Sequence, residues 1–230
     1  FLRSEYSTSI SNAHQLQMVG LNLSASYNLA NNIDLAAELT NPSGMWGGSA
    51  SGFAPIGISA NAFAGTFDGL GHTISNLTIN SPSTNGVGLF GCADSSSVIQ
   101  NVGMVNASVI GGNLNVGSLV GSNNGTIRNS YATGSVRGGN DVGGLVGNNF
   151  TLGTIDNSYA TARVAGATEV GGLVGSNWNS VSNSYATGGV RGTNYVSGLI
   201  GIDFGITSNS FWDTSTTVQI SPYGGGSGLN

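Results

Sequence analysis

The stretch IRNSYATG at residues 127–134 returns as IDNSYATA at 155–162 and VSNSYATG at 181–188, with a frayed copy, ITSNSFWDT, at 206–214. Self-similarity at a fixed period marks a repeat architecture. Asn101, Asn129, Asn157, Asn183 and Asn209 recur at intervals of 28, 28, 26 and 26 residues. Val109, Val136, Val164 and Val190 follow them in the same order. So does a glycine-rich hexapeptide: GVGLFG at 86–91, VGSLVG at 116–121, VGGLVG at 142–147 and 170–175, and VSGLIG at 196–201.

Each repeat holds about three short β-branched strands between Gly, Asn or Ser turns. Helical repeats need a helical segment or a leucine consensus, and a propeller blade needs four strands in roughly 40 residues. Three strands in 26–28 residues fit one coil of a parallel β-helix, with coils about 4.8 Å apart. The expected fold class is therefore all-β, a parallel β-helix (solenoid). In-register stacking lays each residue on its own copy. Asn129, Asn157 and Asn183 are expected to form an amide ladder, with Ser130, Ser158 and Ser184 beside it. The glycines of GGLVG permit a sharp corner or a close backbone approach.

Register also predicts charge contacts. Arg128 should face Asp156, one coil on. Asp141 and Glu169 occupy equivalent places before VGG, so their carboxylates should repel and splay into water unless they share a cation. Neither this pair nor Asp68 and His72, read as a turn residue and a strand-edge residue, is taken as a catalytic or metal site; no cofactor is expected.

The first third reads differently. Residues 1–62 are expected to form an irregular, capping portion, and 63–230 one continuous β-helical domain. In NAHQLQMVG, Asn12 is a candidate N-cap for one short helix carrying Leu16, Met18 and Val19. Leu29, Ile33, Leu35, Phe67, Ile74, Leu77 and Ile79 are inward candidates, and DGLG at 68–71 is a turn signal.

Composition narrows the function classes. Charged residues are 7% of the 230, with no Lys and a net charge of −5. Arg3, Arg128, Arg137, Arg163 and Arg191 are scattered, so a nucleic-acid partner, which needs a cationic stripe, is excluded. No apolar run reaches a membrane span. Cys92, the single cysteine, cannot form an internal disulfide and reads as a small buried hydrophobe. The chain reads as a piece of a longer protein, and as a monomer.

YNLANNIDLA, FAPIG, FAGTFDGLGHTISNLTI, GVGLFG, the repeated GGLVG and NSYATG, and the closing SFWDTST together resemble the GLUG-motif proteins. These include filamentous-haemagglutinin-like adhesins exported by two-partner secretion. The resemblance runs from about residue 10 to 228. It implies a right-handed β-helix in a large secreted virulence protein, an outer-membrane transporter during export, and an extracellular place on the bacterial surface. Where the family pattern is FDGNGH, Leu70 replaces the Asn. Similar repeats accompany immunoglobulin A-type metalloproteases, whose chemistry needs HExxH; His14 and His72 are the only histidines and neither lies in one.

Strand parity offers a binding surface. If Val136 points inward, so do Ser130 and Ala132, leaving Tyr131 and Thr133 outward. Tyr131, Tyr159 and Tyr185, continued by Phe211, would then make an aromatic column flanked by Thr133, Thr161 and Thr187. Such a stripe suits a glycan or a host-cell surface protein, whereas a bend at Asn129 would turn the tyrosines into the core. The favoured function is a non-enzymatic rod segment of a secreted adhesin. The alternatives are a β-helical polysaccharide-degrading enzyme, the repeat region of a large secreted protease, and an ice-binding solenoid.

Overall fold

The period of the sequence is the period of the coil. A computed structural model describes residues 5–219 and 224–229; Arg3 lies outside them. Val120, Val146, Val174 and Ile200 pair in parallel, each one coil above the last. Ile127, Ile155 and Val181 do the same on a second face, and Val136, Val164 and Val190 on a third. Val116, Val142, Val170 and Val196 continue the pattern on a fourth. Four sheets of eight, eleven, five and four strands result. The fold is an all-β parallel solenoid.

Parallel pairing starts early in the chain. Ser9–Ile10 pairs with Ser26–Leu29, which pairs with Thr66–Asp68. Asn12 caps the helix Ala13–Met18 by accepting the Gln15 N–H at 2.9 Å, and Leu16 and Val19 enter the core. Further helical turns occupy Ala36–Thr40 and Thr214–Thr217.

The inward valines Val109, Val136, Val164 and Val190 are buried, as are Leu29, Ile33, Leu35, Phe67, Ile74, Leu77 and Ile79. Parallel stacking explains why single branched residues suffice: each Val packs on its own copies above and below, making a continuous apolar column. Of the roles open to the GGLVG glycines, close approach is the one realised. A Cβ on Gly175 would stand 2.4 Å from the Asp141 carbonyl carbon and 2.5 Å from Val142 N and Gly147 O, all backbone. At this level two faces of the coil meet with no side chain between them.

The corners run through the left-handed backbone region. Asn101, Asn129, Asn157, Asn183 and Asn209 have φ between 46° and 54°, where Asn is tolerated best among side-chain-bearing residues. A second corner is held by Asn115, Asp141, Glu169 and Tyr195, with φ between 51° and 59°. Glu and Tyr are less at ease there than Asn or Asp.

Candidate functional site

The NSYAT segment builds three columns at once. The outer amide ladder runs from Asn157 Nδ2 to Asn129 Oδ1 (2.7 Å) and from Asn129 Nδ2 to Asn101 Oδ1 (3.0 Å). It breaks one coil later: Asn183 Nδ2 donates to Asp156 Oδ1 at 2.8 Å instead of to Asn157. The charged acceptor wins because a hydrogen bond to an ionised group is stronger than one to a neutral amide. Ser130, Ser158 and Ser184 are buried, each Oγ donating to the carbonyl two residues back and accepting the N–H of the coil below.

Next to the serines the rings face out. Tyr131 and Tyr159 stack with centroids 4.9 Å apart and planes 2° from parallel; Tyr159 and Tyr185 stack at 4.8 Å and 4°. That spacing is the coil repeat itself. Tyr185 is 43% exposed and is followed in register by Phe211, 39% exposed. Below the column, Tyr131 lies over Gly103, where any Cβ would strike the ring. Burial and the neighbouring phenols raise the Tyr159 hydroxyl above its ordinary pKa.

The threonines are not equivalent. Thr133 Oγ1 accepts the Asn106 N–H at 2.8 Å. Thr161 and Thr187 line an open groove of 1460 Å³ with Arg137, Arg163 and Arg191. That groove gathers three of the five arginines.

Sequence reading missed two features. A buried amide ladder runs Asn123 Nδ2 to Asn149 Oδ1, Asn149 Nδ2 to Asn177 Oδ1, and Asn177 Nδ2 to Asp203 Oδ1, each 2.8 Å. Its signal was present in GSNN, GNNF and GSNW, which begin on the closing glycine of three of the five hexapeptides. The following residues give an exposed aromatic pair, Trp178 and Phe204, with centroids 4.3 Å apart.

One charge expectation holds and one is corrected. Arg128 lies opposite Asp156 in register, but its Nε donates to Gln100 Oε1 at 2.7 Å, one coil the other way, and Asp156 accepts from Ser182 and Asn183. Asp141 and Glu169 do not splay. The left-handed corner turns both inward, Asp141 is 7% exposed, the two carboxyls share a hydrogen bond, and Ser176 Oγ bonds to both. Cys92, within the strand Phe90–Ala93, is half-buried rather than fully buried. Asp68 is the turn residue expected, accepting the Leu70 N–H at 2.8 Å. Among the described residues, no group of three or more His, Cys, Asp or Glu could hold a metal ion, and no helix is long and apolar enough to cross a membrane.

Burial, then the Glu169 hydrogen bond and charge, push the Asp141 carboxyl up to about 7 against the pull of Ser176. The folded chain therefore binds a proton that the unfolded chain, with an ordinary Asp pKa of about 3.9, releases first. The stability this proton carries is complete below about pH 4 and is lost as pH rises through about 7. Hydrogen bonds hold Asp34 (from Asn76), Asp94 (from the Ser96 N–H), Asp156 (from Ser182) and Asp213 (from the Ser215 N–H) below the usual range. Their contribution disappears only in more acid solution. Urea midpoints in chelator-containing buffer should fall from pH 5 to pH 7.5 by more in the wild type than in Asp141→Asn. Equal slopes would mean the proton is not held there.

Comparison with known proteins agrees with this geometry. The family described as the GLUG motif is matched at residues 112–137, 138–165 and 166–191, three consecutive coils that carry the serine, tyrosine and valine columns. The chain is thus a GLUG-motif-containing β-solenoid. It is 47% identical over 125 residues to Halomucin of Haloquadratum walsbyi, a match covering 53% of this chain and 1% of that protein. It is 36% identical over 156 residues to a protein of Evansella cellulosilytica provisionally named a Gly-rich membrane protein, covering 54% and 17%. The chain thus spans only a small part of the curated relatives it matches. Among solved structures, that of a provisionally named immunoglobulin A1 protease from Bacteroides ovatus superposes with a TM-score of 0.69 at 20% identity. The alignment covers 99% of this chain and 85% of the other, and shows a shared fold.

Proposed function

We propose that this chain is a non-catalytic rod segment of a secreted bacterial surface adhesin that engages a host glycan or surface protein through its tyrosine column. The described residues up to 62, with their short helix and first strands, close one end of the rod, and the later coils give it length. The observation that carries the reading is the parallel stack of Tyr131, Tyr159 and Tyr185 on the outside of the coil. Stacked rings present their edges and phenol hydroxyls outward at a fixed repeat, a surface that can both hydrogen-bond and pack against a sugar or a peptide. Thr161, Thr187 and the three groove arginines extend that surface with hydroxyl and guanidinium donors. Export by two-partner secretion through an outer-membrane transporter, and a place outside the cell, belong to the same proposal.

The carboxyl geometry speaks against the polysaccharide-degrading alternative. Glycosidases hold two carboxyls about 5 to 9.5 Å apart across the scissile bond with room for the substrate between them, whereas Ser176 Oγ fills the space between Asp141 and Glu169 by bonding to both, and neither lines the arginine groove. The test is a glycan array and a host-cell binding assay with the wild type and Tyr131→Ser/Tyr159→Ser/Tyr185→Ser. Binding should drop at least tenfold in a variant whose circular dichroism is unchanged, with no sugar product released by either protein. Undiminished binding by the folded triple variant would sink the assignment.

A further inference from the structure

The groove beside the tyrosine column concentrates positive charge. Arg137, Arg163 and Arg191 line it, and all three are exposed. Among the described residues, none of the three has an ion pair or a side-chain hydrogen bond. Arg128, outside the groove, is by contrast tied to Gln100. No Asp or Glu is among the described lining residues, although acids outnumber bases ten to five in the chain. A cleft lined by one sign of charge focuses its field and draws in ions of the other.

Register shows how room for a ligand is left. Arg137 pairs with Ala165, which pairs with Arg191, while Arg163 pairs with Ser135. Each guanidinium therefore stands beside a small residue of the next coil instead of beside its own copy. Gly189, one residue before Val190, continues the Ser135–Arg163 column. A Cβ on it would meet only Thr216 O, at 3.7 Å, and its φ lies outside the left-handed region. Neither packing nor backbone demands glycine there, whereas a Cβ on neighbouring Gly188 would strike the Ala162 carbonyl. What Gly189 provides is open space. The groove of 1460 Å³ takes its walls from four successive coils, so it runs lengthwise. Pockets for small molecules hold about 300–1,000 Å³; this one suits a length of polymer.

The lining points to the chemistry of that polymer. One guanidinium is offered per coil, at a rise of about 4.8 Å, close to the advance of one sugar ring along a polysaccharide. A polyuronate carries one carboxylate per ring, and the guanidinium fork matches a carboxylate with two parallel hydrogen bonds. Ser135, Thr161, Thr187 and Thr193 line the same groove, and their hydroxyls donate and accept as sugar hydroxyls do. Single-stranded nucleic acid needs a platform of aromatic faces for its bases, and Tyr195 is the single aromatic among the described lining residues.

We propose that the groove binds a carboxylated polysaccharide, a polyuronate laid along the coils with its carboxylates on the three arginines. The class of partner rests on the glycan reading above, but the residues differ, so either can fail alone. The test is calorimetric titration with oligogalacturonate in calcium-free buffer, against the same oligomer methyl-esterified, dextran sulfate, polyglutamate and single-stranded DNA. The wild type should bind oligogalacturonate, less tightly as sodium chloride rises, and each of the other four at least tenfold more weakly. Arg137→Gln/Arg163→Gln/Arg191→Gln, and Gly189→Phe, which fills the groove, should each lose at least tenfold in affinity for oligogalacturonate. Loss in the tyrosine triple variant alone, with both groove variants binding normally, would leave the tyrosine reading standing and overturn this one. No binding by the wild type, or equal affinity for the ester, the sulfate, the peptide or the DNA, also overturns it. Should the arginine variant not fold, Gly189→Phe and the comparison of acid with ester decide.

Discussion

Asn149→Ala is expected to destabilise the protein by about 3–5 kcal/mol, while Asn129→Ala costs about 1–2. Both residues belong to amide ladders, and burial separates them. Asn149 is 0% exposed; its Nδ2 serves Asn177 Oδ1 at 2.8 Å and Gly153 O at 2.9 Å while its Oδ1 takes the Asn123 amide. Removing it strands polar groups above and below where water cannot reach, and leaves a cavity as well. Asn129 is exposed, so water replaces its lost partners, and the remaining penalty is that of Ala in a left-handed corner. Urea unfolding followed by circular dichroism would measure both. Equal losses would show that the inner ladder contributes no more than the outer.

A second substitution should have a still larger effect. Gly175→Ala adds one methyl group, yet that carbon would stand 2.4–2.5 Å from backbone atoms of Asp141, Val142 and Gly147. Side chains can swing aside, but these are main-chain atoms fixed in ladders on both faces. The coil must open locally, with a loss exceeding about 4 kcal/mol or failure to fold. The sixth position of the hexapeptide is glycine in all five copies, at Gly91, Gly121, Gly147, Gly175 and Gly201. The third position admits Ser118 in one copy. Soluble yield and the melting curve of Gly175→Ala test the point, and a native-like Tm would contradict the backbone contact.

Period and parity carried most of the fold. Val136, Ala132 and Ser130 point inward, and Tyr131 outward, because a strand alternates faces and the stack repeats the choice in every coil. The Asn12 cap was legible because its chemistry is local. What stayed hidden was three-dimensional. Nothing in the spacing of Asp141 and Glu169 tells that a left-handed corner turns them inward onto Ser176. Simple repulsion, argued from charge alone, pointed the wrong way because a shared proton removes it. Arg128 faces Asp156 as register required, but which neighbour its side chain would bond was not legible: Gln100 below offered an acceptor while Asp156 was already occupied by Ser182 and Asn183. The Asn123–Asn149–Asn177 column was readable in principle, since GSNN, GNNF and GSNW repeat as faithfully as NSYAT.

Neighbouring coils in this molecule are joined by amides, hydroxyls and phenol rings rather than by ion pairs. Mobile ions weaken attraction between exposed opposite charges over a distance of about 8 Å at physiological strength and about 3 Å at 1 M, but find little to act on in an uncharged column. A solenoid joined this way is expected to hold nearly the same melting temperature from dilute buffer to brine.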